Sequence, residues 1–221
     1  MMNYKTSFST RLRVKLQLAC GPEESNIDLQ LKKKAQAWFR NYIVTTHSII
    51  RSSVPLMEAA HERSKTTNLT EEGKLMAELR NYYKKHSQEE MNHDEWLLDD
   101  LESIGVSRHE SLWRKPSQAV AELVGSQYYW IFHWHPICLL GYISYLEGNP
   151  PKMELISQLQ RITEYPETAF RTLVKHCDLD PHHRDDLNEL LEALPLTAEH
   201  EQWITFNALY SAKKLREIRT L

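Results

Sequence analysis

From Asp28 onward, apolar residues recur every three to four positions. This period predicts helices over 28–63, 69–104, 117–147, 150–162, 166–178, 181–194 and 197–218. Pro55 perturbs the first helix, Pro136 kinks the third, and Pro181 opens the sixth. Gly105, after "LDDLESI", and Gly148, after "LGYISYLE", read as helix C-caps. Asn68 with Glu71 reads as a capping box and Thr197 as an N-cap. Pro116, Pro150, Pro166 and Pro181 all fall at first turns, where the missing N–H costs nothing. Before Asp28, residues 11–18, "RLRVKLQL", alternate polar and apolar and predict a short extended segment. The expectation is an all-α protein, with an N-terminal arm over 1–27 and a single helical bundle over 28–221.

Several ionisable residues fall on the apolar faces of these helices. The stripe of the second comprises Leu75, Leu79, Tyr83, Leu97, Leu101 and Ile104, and it contains His86, Glu90 and His93, while Glu89 lies to one side. The Glu-x-x-His spacing alone means little, since a chain of this composition yields it about once by chance. A second copy, Glu58 and His61, has no clear stripe around it. On the third helix Glu147 shares a face with Tyr129, Leu140 and Ile143. It reads either as a carboxylate at the edge of a buried region or as a solvated helix end. In "VKHCDLDPHHRDDLNELLEAL", His176, Asp180 and His183 share the stripe of Ala169, Leu173, Leu187, Leu191 and Leu194. Asp178, Asp185 and Asp186 point elsewhere. Pro181 leaves two readings open, a kink that keeps the three convergent or a break capped by Asp180.

Glu90, His93, Glu147, His176, Asp180 and His183 together make a mixed nitrogen and oxygen set without thiolate. It suits two iron or manganese ions better than a structural zinc, with Glu147 or Glu90 as bridge.

Composition narrows the picture further. With 221 residues the chain is long enough for one well-cored domain. A net charge of −3 with mixed signs gives no case for nucleic acid, and no apolar run is long enough for a membrane span. The N-terminus has no apolar core of a secretory signal, and Cys20, Cys138 and Cys177 form no disulfide framework. A reducing, cytoplasmic setting is therefore expected. Eleven histidines are the unusual total.

The ordered set Glu90/His93, Glu147, His176/Asp180/His183 resembles the haem-oxygenase-like di-iron oxidases, also described as iron-containing redox enzymes. The flanking words "HSQEEMNHDEWLLDDLESIG", "YYWIFHWHPICLLGYISYLEGNPP" and "FRTLVKHCDLDPHHRDDL" add to the resemblance, which spans roughly 28–215. It implies a seven-helix up-and-down bundle like that of haem oxygenase, holding two Fe(II) ions (a manganese–iron pair being the variant) on these six residues, with O₂ as co-substrate. The implied reactions are desaturation, decarboxylation, N-oxygenation or C–C scission of a small amine, amino acid or fatty acid. Some members add another carboxylate; one heptad before His93 this chain has His86, which reads as an extra ligand, a group bonded to a ligand, or a core histidine. Tyr129 and His133 read as a substrate-pocket wall or as plain core. Two alternatives stand beside this: a metal-free thiaminase-like or cofactor-independent oxidase relative, and a non-enzymatic helical protein that binds a metal or ligand. The expected partner is a small-molecule substrate, with a homodimer suggested by the alternating arm.

Overall fold

A computed structural model describes residues 6–20, 32–65 and 70–220 of the chain. All described secondary structure is helical: α1 (Phe8–Cys20), α2 (Lys32–Ile50), α3 (Ser53–Arg63), α4 (Glu71–Glu89), α5 (His93–Glu102), α6 (Arg108–Trp113), α7 (Gln118–His133), α8 (Leu139–Glu147), α9 (Met153–Thr163), α10 (Arg171–Ala193) and α11 (Ala198–Thr220). Short 3₁₀ turns at Pro136–Cys138 and Glu167–Phe170 lead into α8 and α10.

The all-helical expectation holds, but the seven long segments do not appear as such, because three of them are broken. The first divides at 51–52 into α2 and α3, the second at 90–92 into α4 and α5, and the third at 134–138 into α7 and α8. Conversely, α10 runs straight through Pro181 and fuses two segments expected to be separate. Its buried face, Leu173, Asp180, His183, Leu187 and Leu191, is continuous across the proline, so packing outweighs the lost hydrogen bond.

The extended segment expected over 11–18 is also corrected: it lies within helix α1. Phe8, Leu12 and Leu16 are spaced by four and buried, whereas Val14 and Leu18 stay exposed. The Arg11 guanidinium grips both oxygens of Glu201 at 2.7 Å, and Glu192 accepts the Ser9 N–H at 2.9 Å. These contacts tie α1 to α10 and α11. The expected capping box begins at Asn68, outside the described residues; Thr70 caps α4 instead, accepting the Gly73 N–H at 3.2 Å. Gly105 closes α5 as expected, with φ +82° and the Val106 N–H returning to Leu101 O at 3.0 Å. Thr197 caps α11 through the His200 N–H at 3.2 Å.

The apolar interior falls into two clusters. One gathers α1, α3, α4, α7, α8, α11 and the second half of α10; the other gathers α2, α5, α9 and the first half of α10. Residues 86–93 and 176–183 therefore lie where the chain crosses from one core to the other. Directional bonds fix the elements within each core. Asp100 on α5 accepts the Thr172 N–H at the start of α10 at 2.9 Å, and Tyr83 on α4 donates to Pro136 O at 2.9 Å. Asn207 on α11 donates to Gln127 Oε1 at 2.7 Å and to Cys138 O at 2.6 Å.

Candidate metal centre

The break between α4 and α5 presents Glu90 and His93. Helix α4 ends with the Glu90 N–H bonded to His86 O, Asn92 turns left-handed at φ 69°, and His93 opens α5. Asparagine tolerates this conformation better than other non-glycine residues. Replacing Asn92 with glycine is expected to be neutral within about 0.5 kcal/mol, and with valine to cost ~1–2 kcal/mol in urea unfolding. Equal stability of the two variants would show that the left-handed turn is not needed.

Around this break stand seven inward-facing groups. Glu90, His93, Glu147, Asp180, His183 and His86 are buried, and His176 is nearly so. His86 Nε2 lies 2.5 Å from Glu147 Oε1. His183 Nδ1 lies 3.3 Å from Glu90 Oε1 and 4.0 Å from Glu147 Oε1. On the other side of Glu90, Oε2 lies 3.1 Å from His93 Nδ1. The His93 ring meets His176 edge-on at 5.0 Å, and His176 Nδ1 lies 2.6 Å from Asp180 Oδ1. Glu90 thus has one oxygen toward His183 and the other toward His93.

His86, Glu90, Glu147 and His183 each bring one donor atom within 4.8 Å of the others. His93, His176 and Asp180 adjoin them as a more open group. Of the expected residues, all six ligand candidates converge, and His86 joins them beside Glu147 and His183. Tyr129 and His133 do not: Tyr129 is 59% exposed, and His133, in ring contact with it at 5.1 Å, is exposed too. Their expected alignment with Glu147 assumed one continuous helix, and the break at 134–138 removes that phase relation. The second Glu-x-x-His also drops out, since Glu58 is exposed and His61 Nδ1 bonds Arg80 O at 3.0 Å.

Several buried atoms here have no hydrogen-bond partner among the described residues: Glu147 Oε2, His93 Nδ1 and His183 Nδ1. His93 Nδ1 is close to Glu90 and His183 Nδ1 is close to Glu90, yet neither contact has hydrogen-bond geometry. Buried lone pairs left without partners in one cluster suit a cation, and an oxygen–imidazole donor set suits iron. Sequence periodicity had placed His86 on the right stripe, but only the fold shows that it reaches Glu147.

The protons of the cluster are strongly displaced. Burial disfavours a charged His86, but its contact with Glu147 and the nearby Glu90 charge hold it up at about 9. Burial pushes Glu147 up to about 7, against the pull of His86. Burial also opposes charge on Glu90 and His176, yet His93 holds Glu90 below the usual carboxylate range and Asp180 raises His176. His183 is lowered, by burial first and then by His86. Without a cation the His86–Glu147 pair keeps a proton between them.

A model of the iron-containing redox enzyme family matches residues 55–213. No curated protein gives a significant match. Among solved structures, a domain of unknown function with a haem-oxygenase-like fold from Shewanella denitrificans superposes with a TM-score of 0.80 at 18% identity, covering 96% of this chain and 90% of that one. A TenA homolog from Pseudomonas syringae pv. tomato gives 0.74 at 11% identity, covering 96% and 91%. A CADD-like protein of unknown function from Nostoc punctiforme gives 0.70 at 17% identity, covering 96% and 97%. These likenesses establish the haem-oxygenase-like fold. The match over 55–213, spanning most of the chain, establishes more: the protein belongs to the family of iron-containing redox enzymes.

Proposed function

We propose that the protein is a non-haem di-iron oxidase or oxygenase that uses O₂ on a small amine, amino acid or fatty acid. The observation that carries this reading is the placement of Glu90, whose two oxygens face two different histidines, His183 at 3.3 Å and His93 at 3.1 Å. A carboxylate between two imidazole-bearing half-sites is what a bridged metal pair needs. His86, Glu147 and His183 would hold one ion, and His93, His176 and Asp180 the other, with Glu90 shared. Bound there, two ferrous ions supply the electrons that reduce O₂.

The chain's own residues contribute geometry, protons and exclusion of water. Trp96 stacks on His93 at 4.1 Å and fixes its ring plane, with Lys175 Nζ over the indole at 3.5 Å. Tyr82 stacks on His86 at 5.3 Å and does the same on the opposite side. The apolar cores above and below keep bulk water from the cluster.

A metal-free relative on the same bundle is the weaker reading. It would bury three carboxylates and four imidazoles together with nothing but shared protons to neutralise them.

Anaerobic titration with Fe(II) tests the proposal. Two equivalents are expected, followed by consumption of O₂ on exposure to air. The proton on the His86–Glu147 pair must leave for the metal to enter, so affinity should rise as pH is raised from 6 to 8 and binding should release protons. Calorimetry in two buffers of different ionisation heat reads that release. Absence of tight Fe(II) binding at pH 8 would end the di-iron reading.

A further inference from the structure

We propose that Glu72, His135 and His200 form an acid-sensitive latch at the end of the bundle remote from the metal centre: protonation of its imidazoles releases the first turns of α8 and α11. Three helix starts meet there. Glu72 lies in the first turn of α4, His135 caps the 3₁₀ turn that leads into α8, and His200 lies in the first turn of α11. The His135 and His200 rings stand 5.6 Å apart, and Trp203 touches both, at 5.7 and 5.2 Å. From Glu72 to His86 helix α4 runs about 21 Å, and α8 runs from beside His135 to Glu147. The two helices joined here are thus the ones whose far ends meet in the His86–Glu147 contact.

Both imidazoles act as capping acceptors, a task usually left to side chains that do not titrate near neutral pH. His135 Nδ1 accepts the Ile137 N–H at 3.1 Å. His200 Nδ1 accepts the Thr197 N–H at 3.3 Å while the Thr197 hydroxyl accepts the His200 N–H at 3.2 Å, a reciprocal capping box with histidine in the place of glutamate. Each neutral ring therefore carries its proton on Nε2, which lies 2.8 Å from the Glu72 carboxylate for His135 and 3.7 Å for His200. That leaves no Nε2 lone pair for a cation, so the triad is a carboxylate facing two N–H groups and not a second metal site.

A second proton on either ring has only Nδ1 to go to. There it removes the acceptor and sets N–H against N–H, which undoes the cap. The surroundings oppose such a proton. Helix N-termini disfavour cations. Arg63 of α3 shares the cleft wall with His135, as does Lys65, itself paired with Glu62. Glu72 is the one counter-charge the two rings share, and it is half exposed. On α11, Glu199 is exposed and Glu201 is held by Arg11 of α1. Burial, aided by His200 and Arg63, outweighs the pull of Glu72 and holds His135 below the ordinary imidazole value.

The sign of the effect follows. A histidine depressed in the folded state contributes its stability in full above the unfolded value of about 6.5 and loses it as pH falls below that value. The latch is therefore closed at pH 7.5 and weakens with acid, first at the starts of α8 and α11. Asparagine at a helix cap and glutamine at the third position of a capping box accept the same N–H groups without titrating.

Hydrogen exchange of the chelator-treated full-length protein tests this, read by peptide mass spectrometry and corrected for the intrinsic pH dependence of exchange. Relative to α9, protection of the first turns of α8 and α11 should fall about tenfold or more in the parent between pH 7.5 and 5.5. In the double variant H135N/H200Q it should change by less than about threefold. Equal loss in the two proteins, or no loss in the parent, would overturn the proposal. If circular dichroism at pH 7.5 shows the variant to be poorly folded, nitrogen-15 NMR of the parent's histidine rings decides. Nε2–H tautomers at both His135 and His200 are then expected, and an Nδ1–H tautomer at either would overturn the latch. Because the iron is removed and the signal comes from the far ends of α4 and α8, the outcome does not depend on the di-iron reading, and failure of the parent to bind Fe(II) would not alter it.

Discussion

Replacing Glu90 with glutamine is expected to abolish the tight binding of both iron ions while leaving the fold intact. The change keeps the volume of the side chain and removes its charge. Because Oε1 faces His183 and Oε2 faces His93, one substitution strikes both half-sites. Altering hydrogen bonds to metal ligands costs about 10–100-fold in affinity, and a shared ligand should cost at least ~100-fold. Thermal melts read the effect without any substrate. An ion at a hundred times its Kd adds about 2.7 kcal/mol, or roughly 5–11 °C in a chain of this size at ~2–4 °C per kcal/mol. The parent should show that rise with Fe(II) under anaerobic conditions, and Glu90→Gln should not. Glu58→Gln, in the exposed second Glu-x-x-His, should behave like the parent, whereas Asp180→Asn should lose one equivalent only. Two equivalents retained by Glu90→Gln would remove the bridge from the proposal.

How the sequence foretold this cluster, and where it could not, follows from what periodicity measures. The stripe of Leu75, Leu79, Tyr83, Leu97 and Leu101 keeps its phase across the break at 90–92, and these five are all buried. The break itself is therefore invisible to periodicity, although Asn92 before His93, Asp94 and Glu95 carries the chemistry of a helix start. His176, Asp180 and His183 were readable because they lie on one helix. The nearness of His86 to Glu147 was not, since it depends on how α4 packs beside α8. In α1, "RLRVKLQL" holds both a period of two and a period of four, and only docking on α10 and α11 selects Leu12 and Leu16 for burial. Tyr129 was misplaced for the opposite reason. A phase angle was carried across the corner at 134–138, where no helix continues.

Gly141→Ala should be strongly destabilising. A Cβ at this position would stand 2.3 Å from Ile204 O and 2.8 Å from Ala208 N, both backbone atoms of α11. No rotamer change relieves such a contact, so α8 and α11 must move apart. Overpacking at the upper end of its usual range, ~3 kcal/mol, corresponds to a fall of about 6–12 °C in Tm. The same displacement reaches the metal centre, because Glu147 closes α8 six residues further on and its Oε1 sits 2.5 Å from His86. Gly141→Ala should thus lower both the melting temperature of the metal-free protein and its affinity for Fe(II), whereas Glu90→Gln lowers only the second. A Gly141→Ala protein that melts within 2 °C of the parent would show that α8 and α11 are not held as closely as the glycine implies.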